Sequence, residues 1–191
     1  MDKIGEKIGF FAILFTMMSI SSSPHPFVLI ISYIIHELGH LICAKICGVG
    51  MSKFKVGSFH LSISYDCSSV SYQRELLVCA GGVLFNFTVA FLSFLLGVTK
   101  NETSYFFITC NLSLAIMNLY PISTLDGGGI VKCVTMLVFS ESIAMKISKA
   151  VSFVAVFILW LCAVYLQLVF NSNISLFFIS VFLLIELCFS E

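Results

Sequence analysis

Charge is scarce in this sequence. Of its 191 residues only 10% are Asp, Glu, Lys or Arg, against about 25% in soluble domains, while 59% are apolar and the mean hydropathy is +1.07. So few charges cannot solvate the surface of a domain this long, and the apolar excess is expected to face lipid. Charge of one sign is missing as well: ten basic residues balance ten acidic ones and no basic run occurs. That removes the attraction on which DNA or RNA binding rests, and it excludes a nucleic-acid partner. The eight cysteines include no Cys-x-x-Cys. Six of them (Cys43, Cys47, Cys79, Cys110, Cys162 and Cys188) lie inside apolar runs and read as buried free thiols. Cys43 and Cys47 are one helical turn apart, but packing explains them better than a metal, since a third cysteine is lacking nearby. Internal repeats and low-complexity tracts are absent.

What is present is a series of apolar segments, at residues 8–20, 26–49, 76–98, 105–120, 148–170 and 174–189. A helix needs about 20 apolar residues to cross the hydrocarbon, so 26–49, 76–98 and 148–170 are comfortably long and the other three are short. The expected fold class is an all-α polytopic membrane protein with about six transmembrane helices. The first segment ends in Ser21-Ser22-Ser23 and reads either as a retained helix or as a cleaved signal. With the N-terminus inside, Lys3, Lys7, Lys45, Lys53, Lys55, Arg74, Lys132, Lys146 and Lys149 fall on the cytoplasmic side and only Lys100 on the outer side. This bias places residues 52–74 and 123–148 at the cytoplasmic face. Asn101-Glu102-Thr103 matches N-x-[ST], but it sits in an outer loop close to the membrane.

Residues 51–73 differ in kind. Phe59, Leu61, Ile63 and Tyr65 alternate with His60, Ser62 and Ser64, and Asp66-Cys67-Ser68-Ser69 supplies turn chemistry before Val70 and Tyr72. That pattern predicts a short β-hairpin at the membrane surface. Its open edge is either covered by helices or available to an extended peptide.

The second apolar segment contains His36-Glu37-Leu38-Gly39-His40, the H-E-x-x-H pattern on a helix. Residues four apart are offset by about 40°, so both imidazoles point the same way and can share one Zn²⁺ with Glu37 beside them. Two histidines and a carboxylate at membrane depth are a functional-site hypothesis by default. Interhelical hydrogen bonding by the histidines is the plainer alternative. A hydrolytic zinc usually has three protein ligands, and Asp126 is the best candidate for the third. It follows Asn118-Leu119-Tyr120-Pro121-Ile122-Ser123-Thr124-Leu125 and precedes three glycines. There Pro121 removes a backbone donor and the glycines are expected to loosen the helix, giving a break that lines a wet cavity.

The H-E-x-x-H in one span, Gly81-Gly82-x-x-x-Asn86 in the next and N-x-x-P-x-x-x-x-D-G in the following one resemble the site-2 protease family of intramembrane zinc metalloproteases, peptidase M50. The resemblance covers about residues 32–138. The compact layout is most similar to the sporulation-factor branch, in spore-forming bacteria. It implies a single protease domain over 1–191, with a core at 27–138 and additional helices at 8–20, 148–170 and 174–189; a PDZ domain is not expected, nor a CBS domain, although that branch often carries one. It also implies one Zn²⁺ held by His36, His40 and Asp126, with Glu37 as the catalytic base. The implied partner is a membrane-tethered substrate (a transcription, anti-sigma or pro-sigma factor), cut in or near its transmembrane segment. A regulatory membrane protein is a further possible partner. The implied location is a bacterial cell membrane, with the active site towards the cytoplasm.

Asn118 and Asn86 are candidates to bind substrate backbone or steady the transition state, or else to tie helices together. Gly81 and Gly82 read as points of close helix approach or of a chain break rather than as substrate contacts. Where many relatives have Arg after Asp-Gly-Gly, this chain has Gly129, with Lys132 three residues on. His25 and His60 read as surface residues, and Glu186 as interfacial. Two other function classes compete with the protease: a catalytically silent scaffold that keeps the fold, and a metal-ion transporter. The intact His36, Glu37, His40 and Asp126 argue against the first. The lack of a polar path through several helices argues against the second.

Overall fold

The computed structural model describes residues 24–49, 51–56, 61–65, 70–98, 101–170, 177–178, 180–181 and 183–185. Among them are α1 (His25–Cys47), β1 (Met51–Val56), β2 (Leu61–Tyr65), α2 (Tyr72–Leu95), α3 (Glu102–Asn118), α4 (Asp126–Val138) and α5 (Glu141–Phe170). The expected span at 8–20 lies outside the described residues, as does most of 174–189. Two compact units divide the chain, the first ending at Ile116 and the second beginning at Met117. By length and composition, α1, α2 and α5 are long and apolar enough to cross a membrane. At 17 residues α3 is apolar but shorter. The 13 residues of α4 reach about 20 Å, too short for a hydrocarbon layer of about 30 Å.

In the first unit, α1 starts with proline in its first turn and ends at Gly48, whose φ of 66° only glycine adopts without strain. There Gly48 N–H bonds the Lys45 carbonyl and Val49 N–H the Ala44 carbonyl, the Schellman arrangement. Its usual apolar contact is present too, since Ala44 and Val49 cluster with Val78 of α2. Gly97 (φ 65°) closes α2 in the same way. Asn101 caps α3, with its Oδ1 accepting from Ser104 N–H at 2.8 Å and Ser104 O–H at 2.7 Å. The N-x-[ST] triplet is therefore accounted for by helix capping.

The buried face of α1 carries Val28, Ser32, His36, Gly39, His40 and Ala44, while Ile34, Leu38 and Ile42 are exposed and Ile46 is 78% exposed. The polar groups are inside and the large apolar ones outside, the inverse of a helix that packs against a core from water. Lipid is the surrounding that makes this arrangement stable. Helices in lipid gain little from burying apolar surface against one another, so close contact decides where they cross. For α1 and α2 that point is Gly39 against Gly81. A Cβ on Gly39 would stand 2.5 Å from the Gly81 carbonyl oxygen, and one on Gly81 2.7 Å from that of Gly39.

Strands β1 and β2 pair antiparallel, Phe54 opposite Ile63 and Val56 opposite Leu61, with a bulge between Met51 and Lys53. The alternation at 61–65 is thus a strand, but its partner is upstream. Val70 and Tyr72, expected as its return, instead lead into and open α2. Period-2 alternation marks a strand without naming its neighbour.

In the second unit the chain leaves helix at Asn118 and re-enters it at Asp126. The connector is tied by Ile122 N–H to Tyr120 O (2.7 Å) and Leu125 N–H to Ile122 O (2.8 Å). Ile122 is fully buried against Ala155 and Val156 of α5. The glycines after Asp126 do not loosen a helix. Gly127 to Gly129 form the first turn of a regular one, and a Cβ on Gly127 would collide with the carbonyls of Leu119 and Tyr120, one on Gly128 with that of Ile122. Their role is to let α4 begin against the backbone of its own connector. An apolar cavity of about 420 Å³ lies between Tyr120, Pro121 and the Ala150–Ile158 face of α5.

Candidate metal centre

His36 and His40 lie on the buried face of α1, 3% and 8% exposed, with their rings edge to face at 4.8 Å. Three contacts between α1 and α2 fall in register, each four residues from the next on both helices. His40 Nδ1 meets the Val78 carbonyl at 2.7 Å, His36 and His40 meet the bare backbone of Gly82, and the Ser32 carbonyl meets Asn86 Nδ2 at 3.5 Å. Each rung has its own chemistry.

At the first rung the Val78 carbonyl can only accept, so His40 carries its proton on Nδ1 and its Nε2 keeps a lone pair. A backbone carbonyl holding the far nitrogen of a histidine is the usual support for a metal-ligating imidazole. The two Nε2 atoms are 3.2 Å apart. Two nitrogens on one tetrahedral zinc, at about 2.0–2.1 Å each, stand about 3.3–3.4 Å from one another. At the second rung a Cβ on Gly82 would overlap His40 Nε2 and come within 2.6 Å of His36 Cε1. The absence of a side chain there is what lets both imidazoles converge. By donor chemistry and by this clearance, the pair fits a metal ion. Tyr33 stacks on His36 with ring centroids 6.4 Å apart.

Glu37 is half-buried beside the pair on α1. Asp126 is the first residue of α4 and half-buried, and Asn118 is the last residue of α3. Asn86 is fully buried and directed at Ser32, a helix-to-helix contact. His25 is not a bare surface residue, since its ring lies 4.1 Å from that of Phe106. His60 lies outside the described residues.

The sequence profile of Peptidase family M50 matches residues 100–162, about a third of the chain. In structure the chain is similar to the Site-2 Protease from Methanocaldococcus jannaschii, with a TM-score of 0.65, over 95% of this chain and 86% of that one. The fold is that of a site-2 protease. Sequence identity across the match is 22%. No curated protein matches the chain. The profile match takes in α3, the connector with its Pro121 and Asp126-Gly127, α4 and most of α5, while His36 and His40 lie upstream of it.

Sequence reasoning passed over Ser32, Val78 and Asn111 and gave Gly82 only a packing role. A buried serine one turn before His36 was visible as a spacing. The Val78 carbonyl was not, because a backbone group carries no signal in the residue type.

Proposed function

We propose that the chain is an intramembrane zinc metalloprotease that hydrolyses a peptide bond in or near the transmembrane segment of a membrane-tethered regulatory protein. The observation that carries this reading is the His36–His40 pair: two buried imidazoles at ligand spacing, one fixed by the Val78 carbonyl, with Gly82 clearing the space beside them. Asp126, from its place in the sequence pattern, is taken as the third ligand, and two imidazoles and a carboxylate are a donor set suited to zinc. When bound, zinc supplies Lewis-acid polarisation of the scissile carbonyl and brings the acidity of a water near neutral pH.

Glu37 takes the proton from the attacking water and returns it to the leaving amine. Asn118, at the start of the helix break, holds substrate backbone. Asn86 has the lesser claim to such a role, because its amide is already engaged with Ser32. The β1–β2 ribbon lies at the membrane surface and offers an edge on which an unwound substrate segment pairs as an added strand. The excess of Lys and Arg in the segments assigned inside supports a site in the cytoplasmic half of the membrane, with product released to the cytoplasm. The substrate class is a transcription, anti-sigma or pro-sigma factor. The sporulation-like layout favours the last, in a bacterial cell membrane.

Zinc per chain in detergent-purified protein tests this without knowledge of the substrate. About one zinc is expected in the wild type, lost in His40→Ala and in Asp126→Ala and kept in Glu37→Ala. Glu37→Ala should lower turnover about 10²- to 10⁴-fold. Well-folded wild type that neither contains nor takes up zinc would overturn the reading.

A further inference from the structure

The third rung of the α1–α2 register ends in a layer that the proposed chemistry does not use. Ser32, Asn86 and Asn111, from α1, α2 and α3, are each at 0% exposure. Asn111 Nδ2 donates to Ser32 Oγ at 2.9 Å and to the Phe107 carbonyl at 2.9 Å. Asn86 Nδ2 reaches the Ser32 carbonyl at 3.5 Å. A carbonyl only accepts, so each amide must turn its nitrogen to these partners and its oxygen away. Asn86 Oδ1 and Asn111 Oδ1 are then buried with no hydrogen-bond partner.

Two buried amide oxygens without donors are a cost to stability. Leucine has the same branched skeleton of four side-chain heavy atoms, with bulkier methyl groups and no polar oxygen left to bury. Asparagines held in a helix interface at such a cost are understood where they fix register, because only one axial alignment gives the amide its partner. Here the partner is Ser32, and Ser32 is one helical turn before His36 on the same face of α1.

We propose that Asn111 is a positioning residue for His36. Through its hydrogen bond to Ser32 it sets the axial register of α1 against α3, so that His36 is presented to the metal in one arrangement. The proposal rests on the metal reading above and deepens it by adding a residue of α3 that contacts neither metal nor substrate.

Cobalt(II) uptake by the purified full-length chain separates the two ideas. The d–d absorption bands report ligand geometry, and competition with a chelator gives affinity. Asn111→Leu and Ser32→Ala are each expected to weaken Co²⁺ binding about tenfold and to broaden or shift the bands, while the melting temperature stays the same or rises. The double variant is expected to lose no more than either single one, since both remove the same hydrogen bond. Wild-type affinity and bands in both variants would overturn the proposal. So would a fall in melting temperature that tracks the loss of affinity, because a merely structural role predicts that. Wild type that takes up no cobalt would overturn the metal reading itself, and the proposal with it.

Discussion

Gly82 of α2 lies so close to His40 of α1 that a Cβ on the glycine would overlap the imidazole Nε2. The collision falls on the atom offered to the metal, and His36 Cε1 stands next to it. Gly82→Ala is therefore expected to weaken zinc binding about 10- to 100-fold while the helices still form. Chelator competition with circular dichroism on the same sample checks it. A Gly82→Ala protein that holds zinc as the wild type does would mean that the imidazoles have room to turn aside.

Gly39 and Gly81 make a backbone-to-backbone contact, one residue before each member of that pair. Alanine at either position is expected to cost about 1–3 kcal/mol by overpacking. The two substitutions should not add: once one methyl has pushed α1 from α2, the second finds space already made. Unfolding of the two single variants and the double variant in detergent measures the coupling, and strictly additive losses would argue that the helices do not separate as a unit.

The ribbon can be tested apart from the metal. In an antiparallel pair alternate residues turn their N–H groups to the partner and away from it. Proline placed in β2 at the positions turned away from β1 removes donors from the outer edge only. Cleavage should fall about 2- to 10-fold per bond removed, with zinc per chain unchanged. Undiminished turnover would take the ribbon out of substrate binding.

How much of this was legible in the sequence depended on whether a feature is local. The His36–His40 spacing needs only the helical repeat, and the helix break needs only Pro121, so both could be read from the chain alone. The Ser32–Asn111 bond joins residues 79 apart. No periodicity reveals which faces of α1 and α3 meet. The ribbon was half legible for a related reason: alternation identified residues 61–65 as extended, but it does not say that they pair with 51–56. The glycines after Asp126 misled because freedom and close approach use the same residue, and only the folded connector shows that Gly127 and Gly128 serve the second.

The four-residue register between α1 and α2 has a consequence for what lengths of chain the site tolerates. His40 with Val78, His36 with Gly82 and Ser32 with Asn86 are all met by one alignment. Inserting or deleting one residue between 32 and 40, or between 78 and 86, rotates everything beyond it by about 100° and breaks the series in a single step. A change of length between the helices leaves all three rungs intact. Homologous chains should therefore vary freely in the stretch that joins α1 to α2, yet keep one fixed spacing inside each helix, and that fixed spacing would identify this site where individual residues have diverged.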